Sequence, residues 1–245
     1  MAAIIGNLPV TLQNGTIADA SQLMADLNYI VNQVNANAAP VSGASGSLIN
    51  LRVVTVSGTY TPTAGTNSII AILIGGGGAG GGCPATGAGQ VSAGGAGGSG
   101  AWGAVRMISG FSGVAMTIGN GGAAIAGGQG NAGGTTAFAS VTAAGGGAGL
   151  AAGPASSVVA AGAAGGVLSG GVLYGSYGEG GDDAPVGSGL FFQPKGGSTP
   201  WGSGGRISAG TGFGAGGAGT INGANSGVAT GFNGSQGAII VFEYA

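Results

Sequence analysis

With 245 residues, 63 of them glycine, and only four basic and six acidic side chains, the chain has room for one or two domains and carries almost no charge. A net charge of −2 without a Lys/Arg stripe argues against nucleic-acid binding. The absence of histidine removes Ser-His-Asp and Cys-His arrangements, and a single cysteine, Cys83, removes any internal disulfide framework.

Met1 to Val10 has neither a basic region nor an apolar run of leader length, so no export address is expected. Residues 1–15 read as an irregular N-terminal segment with Pro9 and an Asn14-Gly15 turn signal. Thr16 opens a helical pattern predicted over 16–38, with Asp19 placed as in a capping box. Ala20, Leu23, Leu27, Ile30 and Val34 fall alternately three and four apart, an a/d heptad seam. A helix this short must bury its stripe against something. The partner is either its own domain or parallel copies of itself in a coiled coil, with Leu23, Leu27, Ile30 and Val34 as the oligomerisation residues. Pro40 and a Ser/Gly mixture make 39–50 a predicted linker.

From Leu51 the pattern turns to strands: Arg52 to Val56, Thr59 to Thr61, and the continuous aliphatic run Ile69 to Ile74. Ala238 to Phe242 closes the chain in the same style. Two such runs left exposed would be aggregation edges, so both are expected in one small β core. Shorter strands are predicted at Trp102–Ile108, Val114–Ile118 and Thr135–Thr142.

Between the two aliphatic runs lies a glycine zone. Of the 63 glycines, 57 fall within the 171 residues from Gly75 onward. Each glycine weakens a helix or strand interior by about 0.5–1 kcal/mol, so the zone is either disordered or built on a backbone that needs the missing side chains. Several tracts repeat glycine every third residue: Gly75, Gly78, Gly81; Gly94, Gly97, Gly100, Gly103; Gly127, Gly130, Gly133. Three is the period of an extended left-handed helix, which has no internal hydrogen bonds. Without side chains, neighbouring extended segments approach closely enough to bond each other laterally and satisfy their amides. The expected fold is therefore mainly β or irregular. It comprises a short N-terminal coiled-coil helix, a small β core, and a glycine-rich distal domain over 51–245 of packed extended, polyglycine II-like segments.

The richest excursion runs from Tyr174 to Trp201. Its aromatics, Tyr174, Tyr177, Phe191, Phe192 and Trp201, stand beside Glu179, Asp182, Asp183 and Lys195. Such a mixture suits recognition of a sugar ring or a protein surface. Equally, Phe191, Phe192 and Trp201 can plug the core at the end of the bundle. Asp182-Asp183 with Glu179 reads as an exposed acidic turn rather than a glycosidase pair or a calcium loop. Gly128, Gly130 and Gly133 match G-x-G-x-x-G, but no Asp or Glu lies between Leu150 and Gly178 to meet a ribose. Cys83 reads as a passive buried thiol. No cofactor, no metal site and no enzymatic activity are expected, and the aliphatic runs are too short for membrane insertion.

The stretch GTYTPTAGTNSIIAILIGGGGAGGG, from Gly58 to Gly82, resembles the opening of glycine-rich tail-fibre domains of tailed bacteriophages, where an apolar strand runs into a glycine block. MTIGNGGAAIAGGQGNAGGTTAFASVTAAGGGAG (116–149) and GSQGAIIVFEY (234–244) look similar to further parts of those domains. LPVTLQNGTIADASQLMADLNYIVNQVNANAA (8–39) is similar to the start of phage tail-fibre and tail-associated proteins. The resemblance implies a virion tail component made in the host cytoplasm. Its N-terminus would join a tail or baseplate protein, and its distal domain would contact a bacterial surface receptor. It also implies a homotrimer and bundled polyglycine helices. The chain lacks a long shaft, which fits a stubby fibre or a single-copy tip.

Overall fold

A computed structural model of the chain describes residues 20–37, 46–187 and 189–245. It divides into two units, one containing the helix and one running from Leu48 to Tyr244. Helix α1 (Ala20–Asn37) falls within the predicted span. On it, Met24, Leu27 and Val31 are exposed and Ile30 is half-buried. The side chains of Leu23 and Val34, the cap at Thr16 and Asp19, and the segment 1–15 lie outside the described residues.

The second unit is mainly β. One end is a sandwich of two five-stranded sheets. The first has the order β1 (Leu48–Val54), β16 (Ala238–Tyr244), β3 (Ser68–Ile74), β5 (Trp102–Met107) and β12 (Tyr174–Ser176). The second has the order β11 (Leu168–Ser169), β8 (Val141–Ala143), β7 (Thr136–Phe138), β6 (Ala115–Thr117) and β2 (Gly58–Thr59). The two aliphatic runs pair directly, Ala238 with Ile74 through Tyr244 with Ser68, antiparallel. Strand alternation sends Ile69, Ala71, Leu73, Ile239 and Val241 inward onto Met116, Phe138 and Val141 of the facing sheet. Each fully buried large aliphatic or aromatic side chain contributes about 1.5–3 kcal/mol, so this layer carries much of the fold's stability. Tyr60 is wholly buried between the sheets, edge-on to Phe138 at 5.7 Å.

The structure departs from the sequence expectations at two places. Strand β1 begins at Leu48, inside the predicted linker, because Leu48 and Asn50 pair with Tyr244 and Glu243. The segment Thr135–Thr142 is not one strand but the hairpin β7–β8, which turns at Ala139 with φ of 52°.

Glycine-rich segments lead away from the sandwich strands and return to them. At their other end sit two three-stranded sheets. One is β15 (Ile221–Asn222), β4 (Val91–Gly94) and β9 (Ala151–Ala155); the other is β10 (Val158–Ala160), β13 (Ala184–Gly187) and β14 (Leu190–Phe191). Chain order fixes this arrangement. Residues 75–83 run from β3 towards β4, 94–101 return to β5, 144–150 run from β8 to β9, and 161–167 return from β10 to β11.

The backbone bonding between these segments has a period of three. Gly75, Gly78 and Gly81 donate to the carbonyls of Ala101, Gly98 and Gly95. Gly76, Ala79 and Gly82 donate to Gly134, Asn131 and Gly128, while Gly77, Gly80 and Cys83 donate to Ser235, Phe232 and Ala229. The carbonyls of Gly76 and Ala79 accept from Gly146 and Gly149, and those of Gly78 and Gly81 from Gly217 and Thr220. A β-strand reaches only two neighbours, on alternate residues. This thread is bonded on all sides, and residues 94–101 repeat the pattern towards 214–220, 144–150 and 179–182.

The same period decides where glycine is required. A methyl group on Gly75, Gly78 or Gly81 would collide with the carbonyl oxygen of Ala144, Gly147 or Leu150. One on Gly94, Gly97 or Gly100 would collide with that of Gly81, Gly78 or Gly75. Side chains return where space allows: Ser99 Oγ accepts a hydrogen bond from the Glu179 amide at 2.8 Å.

Candidate functional site

The aromatics of the Tyr174–Trp201 stretch do not form one loop tip. Tyr174 lies on β12, an edge strand of the sandwich, opposite Ala104 of β5. Its ring meets Trp102 edge-to-face at 5.8 Å, and Trp102 in turn meets Trp201 at 5.0 Å and 77°. The physical reason is area: three rings bury more apolar surface against one another than a solvated loop would. Tyr177 follows β12 directly and is 66% exposed. Phe191 lies on β14 at the far end of the glycine segments, 54% exposed, with Phe192 next to it, also exposed. The predicted set thus splits into a flank group, Tyr174, Tyr177 and Trp201, and a tip group, Phe191 and Phe192.

Trp201 is half-buried and packs on the outer face of the first sheet, beside Ile72, Ile74, Ala104 and Ala238. Trp201 thus packs on a sheet face at the flank. Phe191 and Phe192 are exposed and plug nothing. Trp102 was missed as a site residue because it reads simply as the start of a strand. Its signal was that only two tryptophans occur in the chain.

Two depressions accompany the two groups. On the flank, a hollow of about 440 Å³ is bordered by Trp201, Ser198, Ser203 and Thr211. Its rim is a tightly bonded tongue. Thr199 and Gly202 exchange backbone bonds of 2.8 and 3.3 Å, Phe213 N donates to Trp201 O, and Thr199 Oγ1 donates to Phe213 O at 2.6 Å. At the tip, a hollow of about 310 Å³ is lined by Val158, Val159, Pro185, Val186 and Leu190. The strands beneath it pack Val91, Ala93, Ala160, Ala184 and Val186 together.

The acidic residues serve the backbone. Glu179 Oε2 accepts from Ser198 N at 2.6 Å, Asp182 Oδ2 from Lys195 N at 3.1 Å, and Asp183 Oδ1 from Gly162 N at 2.8 Å. Each caps a neighbouring segment whose amide has no carbonyl opposite. Among the described residues no group of three His, Cys, Asp or Glu side chains is placed to hold a metal ion, and no helix is long and apolar enough to cross a membrane. Cys83 Sγ donates to Thr220 O at 3.1 Å, and burial pushes its thiol up to about 11.

The strongest electrostatic feature lies away from both hollows. Glu243 of β16 is fully buried and accepts Tyr60 Oη–H at 2.6 Å and Thr63 N–H at 3.3 Å, with Arg52 Nη1 at 3.6 Å. Burial alone would raise its carboxyl, but hydrogen bonding from Thr63 and Tyr60, backed by Asn50, holds it below the ordinary value. Burial, and then the bond to Glu243, push the Tyr60 hydroxyl far above its usual range. This cluster ties β1 and the 60–63 turn to the last strand, and it is structural. The chain matches no protein-family model, and comparison with curated proteins gives no match.

Proposed function

We propose that the chain is a bacteriophage tail fibre that attaches the virion, as a homotrimer, to a polysaccharide or protein receptor on the bacterial envelope. In this reading the glycine segments form a polyglycine II-type bundle, stiff and neutral, and the distal loops and aromatics are the contact surface. The observation that carries it is the pairing of exposed Val159, Leu190 and Phe191 with a support in which backbone bonds run between segments on every side. Binding loops need such a rigid support, and exposed apolar groups clustered at one end of a domain mark interaction surfaces. The exposed Leu27 and half-buried Ile30 of α1 supply a stripe for self-association, and the heptad spacing of the sequence extends the proposed seam to Leu23 and Val34. Segment 1–15 would join the tail or baseplate. The resemblance to glycine-rich phage fibres in sequence points the same way.

The test is adsorption competition. Purified full-length chain, added in excess to host cells, is expected to block phage adsorption. A fully occupied cell surface that still adsorbs phage at the control rate would leave a purely structural spacer or plug of the tail as the function.

A further inference from the structure

We infer that the flank hollow beside Trp201 binds a neutral pyranose ring, so that the ligand class at this site is an uncharged glycan. The inference deepens the attachment role and rests on it for biological meaning, but its chemistry is local. A sugar ring presents an apolar C–H face and a girdle of hydroxyls. It is held by an aromatic plane together with neutral donors and acceptors at fixed positions.

The hollow supplies both. Trp201 meets Trp102 at 77°, so the two rings form a T rather than a stack, and Trp102 is itself braced by Tyr174. The Trp201 indole is therefore braced by Trp102, and Trp201 lines the hollow. Around it stand hydroxyls with bonding capacity left. Ser203 Oγ has no partner among the described residues. Thr211 Oγ1 only grazes Ser203 O at 3.5 Å, and Ser198 Oγ accepts from Gly204 N at 3.1 Å while its own proton remains available.

No charged side chain lines the hollow. The Glu179 carboxylate, bonded to the lining residue Ser198, is engaged by its amide. An anionic sugar or a phosphate would find no cation there. The tongue is preorganised by the Thr199, Gly202 and Phe213 bonds, so little ordering cost falls on the ligand. A volume of about 440 Å³ accommodates a ring with its first hydration waters.

The chain has only two tryptophans, of which Trp201 lines the hollow and Trp102 packs against it, so the Trp201 indole N–H signal reports on the hollow and that of Trp102 on its support. The experiment is a titration of the ¹⁵N-labelled full-length chain with methyl β-D-galactopyranoside, methyl β-D-glucopyranoside and methyl α-D-mannopyranoside. N-acetyl-leucinamide serves as the apolar peptide probe. At least one pyranoside is expected to shift the Trp201 indole with a Kd of about 1–10 mM, the range for a single ring on one aromatic platform. In the double variant Ser203→Ala, Thr211→Val, that affinity should fall at least about fivefold, as loss of hydrogen bonds predicts. The free-state indole signals should stay unchanged, showing that the tongue still folds.

Silent indoles with all three pyranosides overturn the inference. So does a shift that the double variant leaves intact, or a response to N-acetyl-leucinamide alone. Silent indoles alongside successful adsorption competition would remove only this site and leave attachment to the tip. Failed competition with responsive indoles would remove attachment and leave a sugar site.

Discussion

Glu243 stays ionised inside the sandwich because its oxygens are occupied by Tyr60 Oη–H and Thr63 N–H, with the half-exposed Arg52 guanidinium alongside. Glutamine at this position keeps the shape but turns charge-assisted bonds into neutral ones, so Glu243→Gln should cost about 1–2 kcal/mol at pH 7. The pH sign follows from the direction of the shift. The folded carboxyl lies below its reference value of 4.5, so its contribution is complete above that pH and is lost as pH falls through the lower folded value. Urea denaturation of both proteins at pH 7 and at a series of values below 4.5 checks this, since the gap should narrow progressively on acidification. A gap that does not narrow at any of these values would mean the charge contributes nothing. None of this is legible in the sequence, where Tyr60 and Glu243 stand 183 positions apart.

Along the glycine-rich segments, position in the triplet decides what a substitution does. Gly97→Ala drives a methyl into the Gly78 carbonyl, and the atoms in the way are backbone, of Gly78 and Ala79, rather than a side chain that could turn aside. The expected loss is about 3 kcal/mol or more, at the upper end of overpacking penalties. Gly171→Ala, with nothing within 4 Å of the new methyl and no positive φ, should change stability by less than about 0.5 kcal/mol. Thermal unfolding of the two variants side by side decides it; equal effects would mean that glycine is there for flexibility rather than for close approach. The sequence was most legible at this scale. Ile69–Ile74 and Ala238–Phe242 are apolar throughout and lie in one β core as expected, where they also pair directly. The three-residue spacing of Gly75, Gly78 and Gly81 is the spacing at which their N–H groups reach one common neighbour. Strands such as β11, β14 and β15, two residues each, left no trace, because they exist only where returning glycine segments deliver them side by side. The linker boundary was missed for a similar reason: Leu48 becomes strand by pairing with Tyr244, at the other end of the chain.

At the scale of the molecule, the site was half legible. The aromatics of 174–201 were visible as a group, but only the paths of β12 and β14 decide that Tyr174 belongs to the flank and Phe191 to the tip. Between flank and tip lie glycine-rich segments joined by lateral backbone bonds, and the cooperativity of these bonds can be measured. Each amide from Gly75 to Cys83 donates to a segment distant in sequence, so none is released by local fraying and all require neighbouring threads to separate. Separation breaks bonds on several sides at once and uncovers carbonyls packed against glycine Cα atoms. Hydrogen exchange on the intact protein should therefore protect 75–83 and 94–101 to within about tenfold of β16, at the global-unfolding limit. Exchange of these residues at the rate of a free peptide, with β16 still protected, would dissolve the bundle into a tether. A tether cannot hold Trp201 and Phe191 at fixed positions relative to each other, and attachment would then have to work through one end of the chain alone.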